Sequence, residues 1–276
     1  MKRKLSKLLL VTTMVLSLVG CTNSGGSEGA KGEETQKIIV ASGNSSIPNS
    51  YIENDVHKGH EVDIWNAISE KTGLEVEFIT GEFNTLFGYL DSKKANTVGN
   101  TITKNADRVE KYDFTQPYAY ITENLIVHSD KTDIKKLKDI DGLVCGYSAG
   151  SNGGNLFEQI AKEQGIEVNL QVFDSSELLH EAFKQNKVDV MIMASAEAAY
   201  KIKEGVLDAR QVEEYITIGE KAYPFVKDDE NSAELREKVD KAITEMKEDG
   251  TLSKIYEKWY GADYINAPEG YVSVFE

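Results

Sequence analysis

Arg108 carries the most specific chemistry in this 276-residue sequence. Its planar guanidinium can hold both oxygens of a carboxylate at once, which a lysine ammonium cannot. It ends the run Asn100-Thr101-Ile102-Thr103-Lys104-Asn105-Ala106-Asp107-Arg108, and in so charged a stretch an arginine also suits the solvated surface. The same anion can be met from Gly150-Ser151-Asn152-Gly153-Gly154-Asn155, just before the helical face of Leu156, Phe157, Ile160 and Ala161. The free N–H groups and positive dipole end of a helix start suit a carboxylate, and Ser151 or Asn152 can equally serve as a plain helix cap. Phe83 reads either as core or as the apolar wall of a pocket.

Catalytic patterns are missing from the sequence. It has no nucleophile elbow, phosphate loop or metal motif. His57, His60, His128 and His180 do not cluster. Of the two cysteines, Cys145 lies in the apolar run Leu143-Val144-Cys145-Gly146, where a lone thiol behaves as a small hydrophobe. Glu82 and Glu197 are the acid–base candidates an enzyme reading would need. Binding without chemistry is the expectation, with no cofactor and no metal.

Strand and helix patterns alternate around these residues. Strand-like runs are Ile38-Ile39-Val40, Leu74–Ile79, Leu125–Val127, Leu143–Gly146, Val168–Phe173 and Val188–Met193. Helical spacing joins Val62, Trp65 and Ile68 ahead of Gly73. Asp174-Ser175-Ser176-Glu177 has capping-box spacing ahead of Leu178, Leu179, Ala182 and Phe183. Leu235, Val239, Ala242, Ile243 and Met246 form another face, closed by Gly250. This order predicts an α/β fold with ligand sites outside the carboxyl ends of strands.

The amino end reads as an address. Lys2, Arg3, Lys4 and Lys7 precede the apolar run Leu8–Val19, which falls short of the ~20 residues of a bilayer span. That is the pattern of a signal peptide over 1–20. Leu18-Val19-Gly20-Cys21 looks like a bacterial lipobox, with Cys21 the acylated residue. Residues 21–36, rich in Gly, Ser, Thr and Glu, form a flexible tether. Formal net charge is −15, and the four basic residues of the first twenty leave −19 on the remainder. Such a body is a poor nucleic-acid binder and is repelled by anionic lipid, so the acyl chains must hold it to the membrane.

From about residue 37 to 264 the sequence resembles the polar amino-acid binding proteins of ABC importers. Gly59-His60-Glu61-Val62-Asp63-Ile64 resembles the family's helix entry, and Phe83–Leu90 the approach to its second helix. Asn100–Arg108 with Lys111-Tyr112-Asp113-Phe114-Thr115-Gln116-Pro117-Tyr118 is its signature stretch. Asp249-Gly250-Thr251-Leu252 and Lys258-Trp259-Tyr260-Gly261 match its close. Pro48-Asn49-Ser50-Tyr51, Lys104-Asn105 and Gly150-Ser151-Asn152 are similar to the cystine-binding branch.

The resemblance implies a type II periplasmic-binding-protein-like fold with two hinge strands. Lobe 1 would comprise 37–123 plus 222–276, and lobe 2 would comprise 124–221. A monomer anchored on the extracytoplasmic face would deliver an amino acid, cystine or cysteine first, to an ABC permease. Arg108 would hold the ligand's carboxylate, helped by Ser151 and Asn152. Asn100, Thr101 and Thr103 would meet its polar groups, Phe83 would wall the pocket, and Ser50 and Tyr51 would cover it. Relatives that dehydrate cyclic acids and a purely sensory lipoprotein are the alternatives. One departure stands out: the aspartate that pairs with the ligand's ammonium in the family is Ala194 here, which leaves three outcomes, that Ser195 or Glu197 substitutes, that the ligand lacks an α-amine, or that affinity is poor.

Overall fold

The computed structural model describes residues 35–275. The expected signal peptide, Cys21 and all but the last two residues of the tether lie outside the described residues. No described helix is long and apolar enough to cross a membrane.

The chain enters at β1 (Lys37–Gly43), whose Ile38, Val40 and Ala41 are wholly buried. A small antiparallel sheet follows, made of β2 (Ser45–Ser46), β3 (Ser50–Glu53) and β4 (Val56–Lys58). Helix α1 (His60–Thr72) buries Val62, Ile64, Trp65 and Ile68. It stops at Gly73, whose φ of 71° is left-handed and whose N–H reaches Ser69 O. Then come β5 (Glu75–Gly81), a 3₁₀ turn at Phe83–Thr85, α2 (Leu86–Asp91), β6 (Thr97–Val98), α3 (Ala106–Lys111) and β7 (Tyr112–Phe114).

Long strand β8 (Ala119–His128) carries the chain into a second sheet. That sheet also holds β9 (Val144–Ser148), β10 (Asn169–Phe173), β11 (Val190–Ala194) and β12 (Ala209–Lys221). Helices α4 (Asn152–Gln164), α5 (Ser176–Lys184) and α6 (Ser195–Lys203) alternate with these strands. From β12 the chain passes to β13 (Pro224–Val226), α7 (Glu230–Glu248) and α8 (Thr251–Tyr260).

The first sheet has the order β5-β1-β6-β13-β7 and the second β10-β9-β11-β8-β12. β1 runs parallel to β5 and β6, and β9 runs parallel to β10 and β11, as strand–helix–strand crossovers require. β8 and β12 pair antiparallel, with Thr217 opposite Glu123 and Lys221 opposite Ala119. Each sheet carries a core, and that of the first sheet also takes in Ala196 of α6. Trp65, Tyr223 and the expected α7 face (Leu235, Val239, Ala242, Ile243, Met246) share one, while Leu125, Cys145, Phe157 and Ile192 share another. Burial pushes the Cys145 thiol up to about 12, so it stays protonated and inert.

One helix start differs from expectation. Ser175, not Asp174, caps α5, its Oγ accepting from Leu178 N at 3.3 Å. Leu178 faces outward, 56% exposed, while Leu179, Ala182 and Phe183 are buried. Gly250 closes α7 as expected, left-handed at φ 75° just past the C-cap Asp249, and it also starts α8.

Gly154, in the first turn of α4, shows how closely that helix sits on its sheet. A Cβ there would lie 2.1 Å from Tyr147 Cδ2. Gly154→Ala should therefore lower unfolding free energy by about 1–3 kcal/mol in urea titrations. An unchanged midpoint would show that the Tyr147 ring moves aside freely.

Candidate functional site

Arg108 is fixed at both backbone and side chain. Asn105 caps α3 with its Oδ1, accepting from Arg108 N at 2.9 Å. The guanidinium lies over the Phe87 ring, 5.0 Å from its centroid. Nη1 donates to Thr103 O at 2.8 Å and Nη2 to Gly150 O at 2.9 Å. Thr103 precedes α3, whereas Gly150 follows β9 of the other sheet, so this side chain ties both halves together. A guanidinium has five N–H donors, and three remain beyond these two bonds. Burial draws its pKa down to about 10, against the pull of Glu123, so Arg108 stays cationic at neutral pH.

The mouth of α4 faces the same space. Ser151 Oγ accepts from Gly154 N at 3.3 Å, so the hydroxyl is a cap. Asn152 Oδ1 accepts from Asn105 Nδ2 at 2.7 Å, a second bond between the halves. The earliest N–H groups of a helix have no intrahelical carbonyl and carry the positive dipole end. A Cβ on Gly153 would lie 2.8 Å from Glu123 Oε2, so glycine lets the helix mouth approach the long strand β8.

Buried charges line the floor where β8 and β12 run side by side. Lys221 Nζ donates to Glu123 Oε1 at 3.0 Å and to Thr103 Oγ1 at 2.6 Å. Such an ammonium is tolerable inside a protein because each neighbour is an acceptor held in place. Glu61, fully buried, accepts from Tyr118 OH at 2.6 Å, Tyr223 OH at 3.0 Å and Thr101 N at 2.8 Å. Thr101 has a φ of 53°, an uncommon conformation for a β-branched residue, and Glu61 pins it there.

These groups surround one cleft of roughly 690 Å³, counting its open mouth. Arg108, Asn100, Thr101, Thr103, Ser151, Asn152 and Phe83 all line it. Ser50 and Tyr51 do not, which corrects the expectation for both. The Ser50 hydroxyl is spent on Gly43 O, Ser42 Oγ and His57 Nε2, each at 2.7 Å. The Tyr51 ring packs edge-on against Trp259 at 6.5 Å. Ser46 and Asn49 take their place in the wall, because the β2–β3 hairpin turns those two inward.

Several lining residues escaped sequence reasoning. Glu123 and Lys221 sit in long strands whose local pattern says nothing of a cleft. His180 lines it from α5, and burial beside Lys201 and Lys184 lowers its pKa to about 3, so the ring is neutral at pH 7. Ser148, Ser176, Leu179 and Met193 add an uncharged wall. Glu197 lines the cleft as well, its Oε2 accepting from Asn49 Nδ2 at 3.2 Å, and burial raises its pKa. Glu82 instead accepts from Ser45 Oγ at 3.4 Å, outside the lining. Among the described residues no group of His, Cys, Asp and Glu is placed to hold a metal ion.

Comparison with known proteins agrees with this geometry. The sequence model of the "Bacterial extracellular solute-binding proteins, family 3" matches residues 38–262. The "Probable amino-acid-binding protein YxeM" of Bacillus subtilis (strain 168) is 30% identical over 263 residues, 95% of this chain and 97% of that protein. The "L-cystine-binding protein TcyA" of the same strain is 28% identical, over 94% of this chain and 99% of its own length. Among solved structures, an ancestral arginine-binding protein bound to arginine superposes with a TM-score of 0.72 at 30% identity, covering 82% of this chain and 98% of that one. These neighbours share the type II two-lobed fold. The chain belongs to family 3 of the bacterial extracellular solute-binding proteins.

Glu61 offers a test of how the cleft floor is held. Glu61→Ala orphans three buried donors, so stability should drop by about 3–5 kcal/mol in chemical denaturation. A loss under about 1 kcal/mol would mean that water replaces the carboxylate at no great cost.

Proposed function

We propose that this family member captures a polar amino acid in the interlobe cleft and hands it to an ABC permease, with no chemical step. The observation that carries the reading is the Arg108 guanidinium, which lines the cleft with donors to spare beside the mouth of α4. Together they can seat a carboxylate, the guanidinium by its paired N–H groups and the helix by its first-turn amides. Residues 37–123 with 222–276 act as one lobe and 124–221 as the other, and β8 and β12 form the hinge between them. Arg108–Gly150 and Asn105–Asn152 are the bonds that closure makes.

The wall contributed by Ser148, Ser176, Leu179, Met193 and neutral His180 carries no formal charge. Lys221 is already matched by Glu123. An uncharged polar side chain therefore suits the cleft better than a cationic or anionic one, since a buried unpaired charge costs several kcal/mol. Cysteine has such a side chain, and cystine, whose far half bears a second ammonium and carboxylate of no net charge, stands beside it on the description of TcyA. Acylation of Cys21 would hold the protein on the extracytoplasmic face of the membrane as a monomer.

Calorimetric titration of ligand-stripped protein with the twenty L-amino acids and L-cystine tests the reading, and one of them should bind 1:1. Arg108→Ala should weaken that ligand by about 2–5 kcal/mol, the cost of losing one partner of a buried charge pair. A change of less than tenfold would reject the role given to Arg108.

A further inference from the structure

A titratable side chain in the cleft wall has no polar partner. His180 lies in the second turn of α5, lines the cleft and is 8% exposed. Neither of its ring nitrogens has a hydrogen-bond partner among the described residues, and neither is fully enclosed. The other histidines are differently placed. His57 Nε2 meets Ser50 Oγ at 2.7 Å, His60 Nδ1 meets Tyr260 OH at 3.1 Å, and the His128 ring stacks on Phe183 at 3.8 Å. None of those three lines the cleft.

Its surroundings set its charge. Burial, aided by Lys201 and Lys184, lowers the pKa to about 3, and Arg108 is not among the cations that act on it. The ring is therefore a neutral imidazole at pH 7, set apart from the guanidinium that would seat a carboxylate. A neutral imidazole carries one N–H donor and one bare nitrogen acceptor. With no protein group bonded to either nitrogen, no tautomer is imposed, and a ligand can meet the donor on either side. The rest of this wall leaves polar contacts to the ring: Leu179 and Met193 are apolar, and the Ser148 and Ser176 hydroxyls already meet at 3.3 Å. A lone charged group against the ring would be buried without a countercharge and would match just one of the two nitrogens.

We propose that His180 is the specificity-determining residue for the far end of the ligand's side chain, taking a group that donates and accepts through different atoms. The inference rests on the amino-acid reading above and names the side-chain class. Two ligands supply that chemistry: the carboxamide of glutamine, and the second head of cystine, whose ammonium donates while its carboxylate accepts. With the α-carboxylate on Arg108, the side chain extends toward α5, and each ring nitrogen gains the partner it lacks in the protein. An apolar end of equal length leaves both nitrogens desolvated and unpaired, and that cost is the source of discrimination.

Calorimetry tests this by pairing each polar ligand with an apolar match. L-glutamine is paired with L-norleucine, and L-cystine with S-ethylthio-L-cysteine, which keeps the disulfide and lacks the second head. Wild-type protein should prefer the polar member of one pair by about tenfold or more, and the pair that shows it identifies the source. His180→Leu should abolish that preference while the apolar match binds as it does to wild type. His180→Gln, which restores a donor and an acceptor, should recover it. No preference in either wild-type pair, equal weakening of both members by His180→Leu, or a preference that survives His180→Leu would overturn the proposal. A crystal structure of wild-type protein with the preferred ligand needs no variant to fold. It should place a His180 ring nitrogen within about 3.2 Å of the side-chain end, and a side chain directed elsewhere also overturns the assignment. Failure of the underlying reading looks different: no amino acid binds, or Arg108→Ala leaves affinity unchanged.

Discussion

A single guanidinium is hydrogen-bonded to carbonyls on both sides of the cleft, Thr103 O and Gly150 O. That placement constrains everything around it. The α3 start must be capped by Asn105 so that Arg108 leaves the helix in one direction. The Phe87 ring must lie beneath it to carry the cation where water is scarce. The loop after β9 must turn through left-handed Gly150, φ 76°, to present its carbonyl. The same residue thus bridges the cleft with two of its five N–H donors.

The cleft floor obeys a related rule, that buried charges occur in matched sets. Lys221 is satisfied by Glu123 and Thr103, and Glu61 by two tyrosine hydroxyls and one amide. Apolar residues of like volume could fill these positions at similar stability. They could not fix the direction of Thr103 or the left-handed backbone of Thr101, both of which line the cleft. The polar floor therefore trades nothing obvious in stability for a defined shape. It also joins the two sheets at the place where the chain crosses between them.

Hydropathy periodicity marked most of the framework. β1, α1, β9, β10 and the buried face of α7 lie where alternating or helical spacing placed them, because each buries a stripe that its own residues define. The α5 cap slid by one residue, since Asp174 and Ser175 are both competent caps and only packing of Leu179 and Phe183 chooses between them. The resemblance puts Ser50 and Tyr51 in the loop that covers the ligand in the family. A two-residue period in β3 and the neighbouring Ser42, His57 and Trp259 took them elsewhere.

What the sequence determined by itself was the α/β class, the resemblance to a solute-binding family, and a loop set containing Arg108, Asn100, Thr101, Thr103, Ser151 and Asn152. The resemblance carries that loop set, and only the guanidinium of Arg108 and the helix-start chemistry of Ser151 and Asn152 are legible from local residue types. What only the tertiary structure decided was which distant groups share the cleft. Glu123 and Lys221 are 98 residues apart and meet at 3.0 Å, and Asn49 and Glu197 are 148 apart and meet at 3.2 Å. Hydrogen bonds act over a few ångströms of space whatever the separation along the chain, so only the fold could bring those partners together.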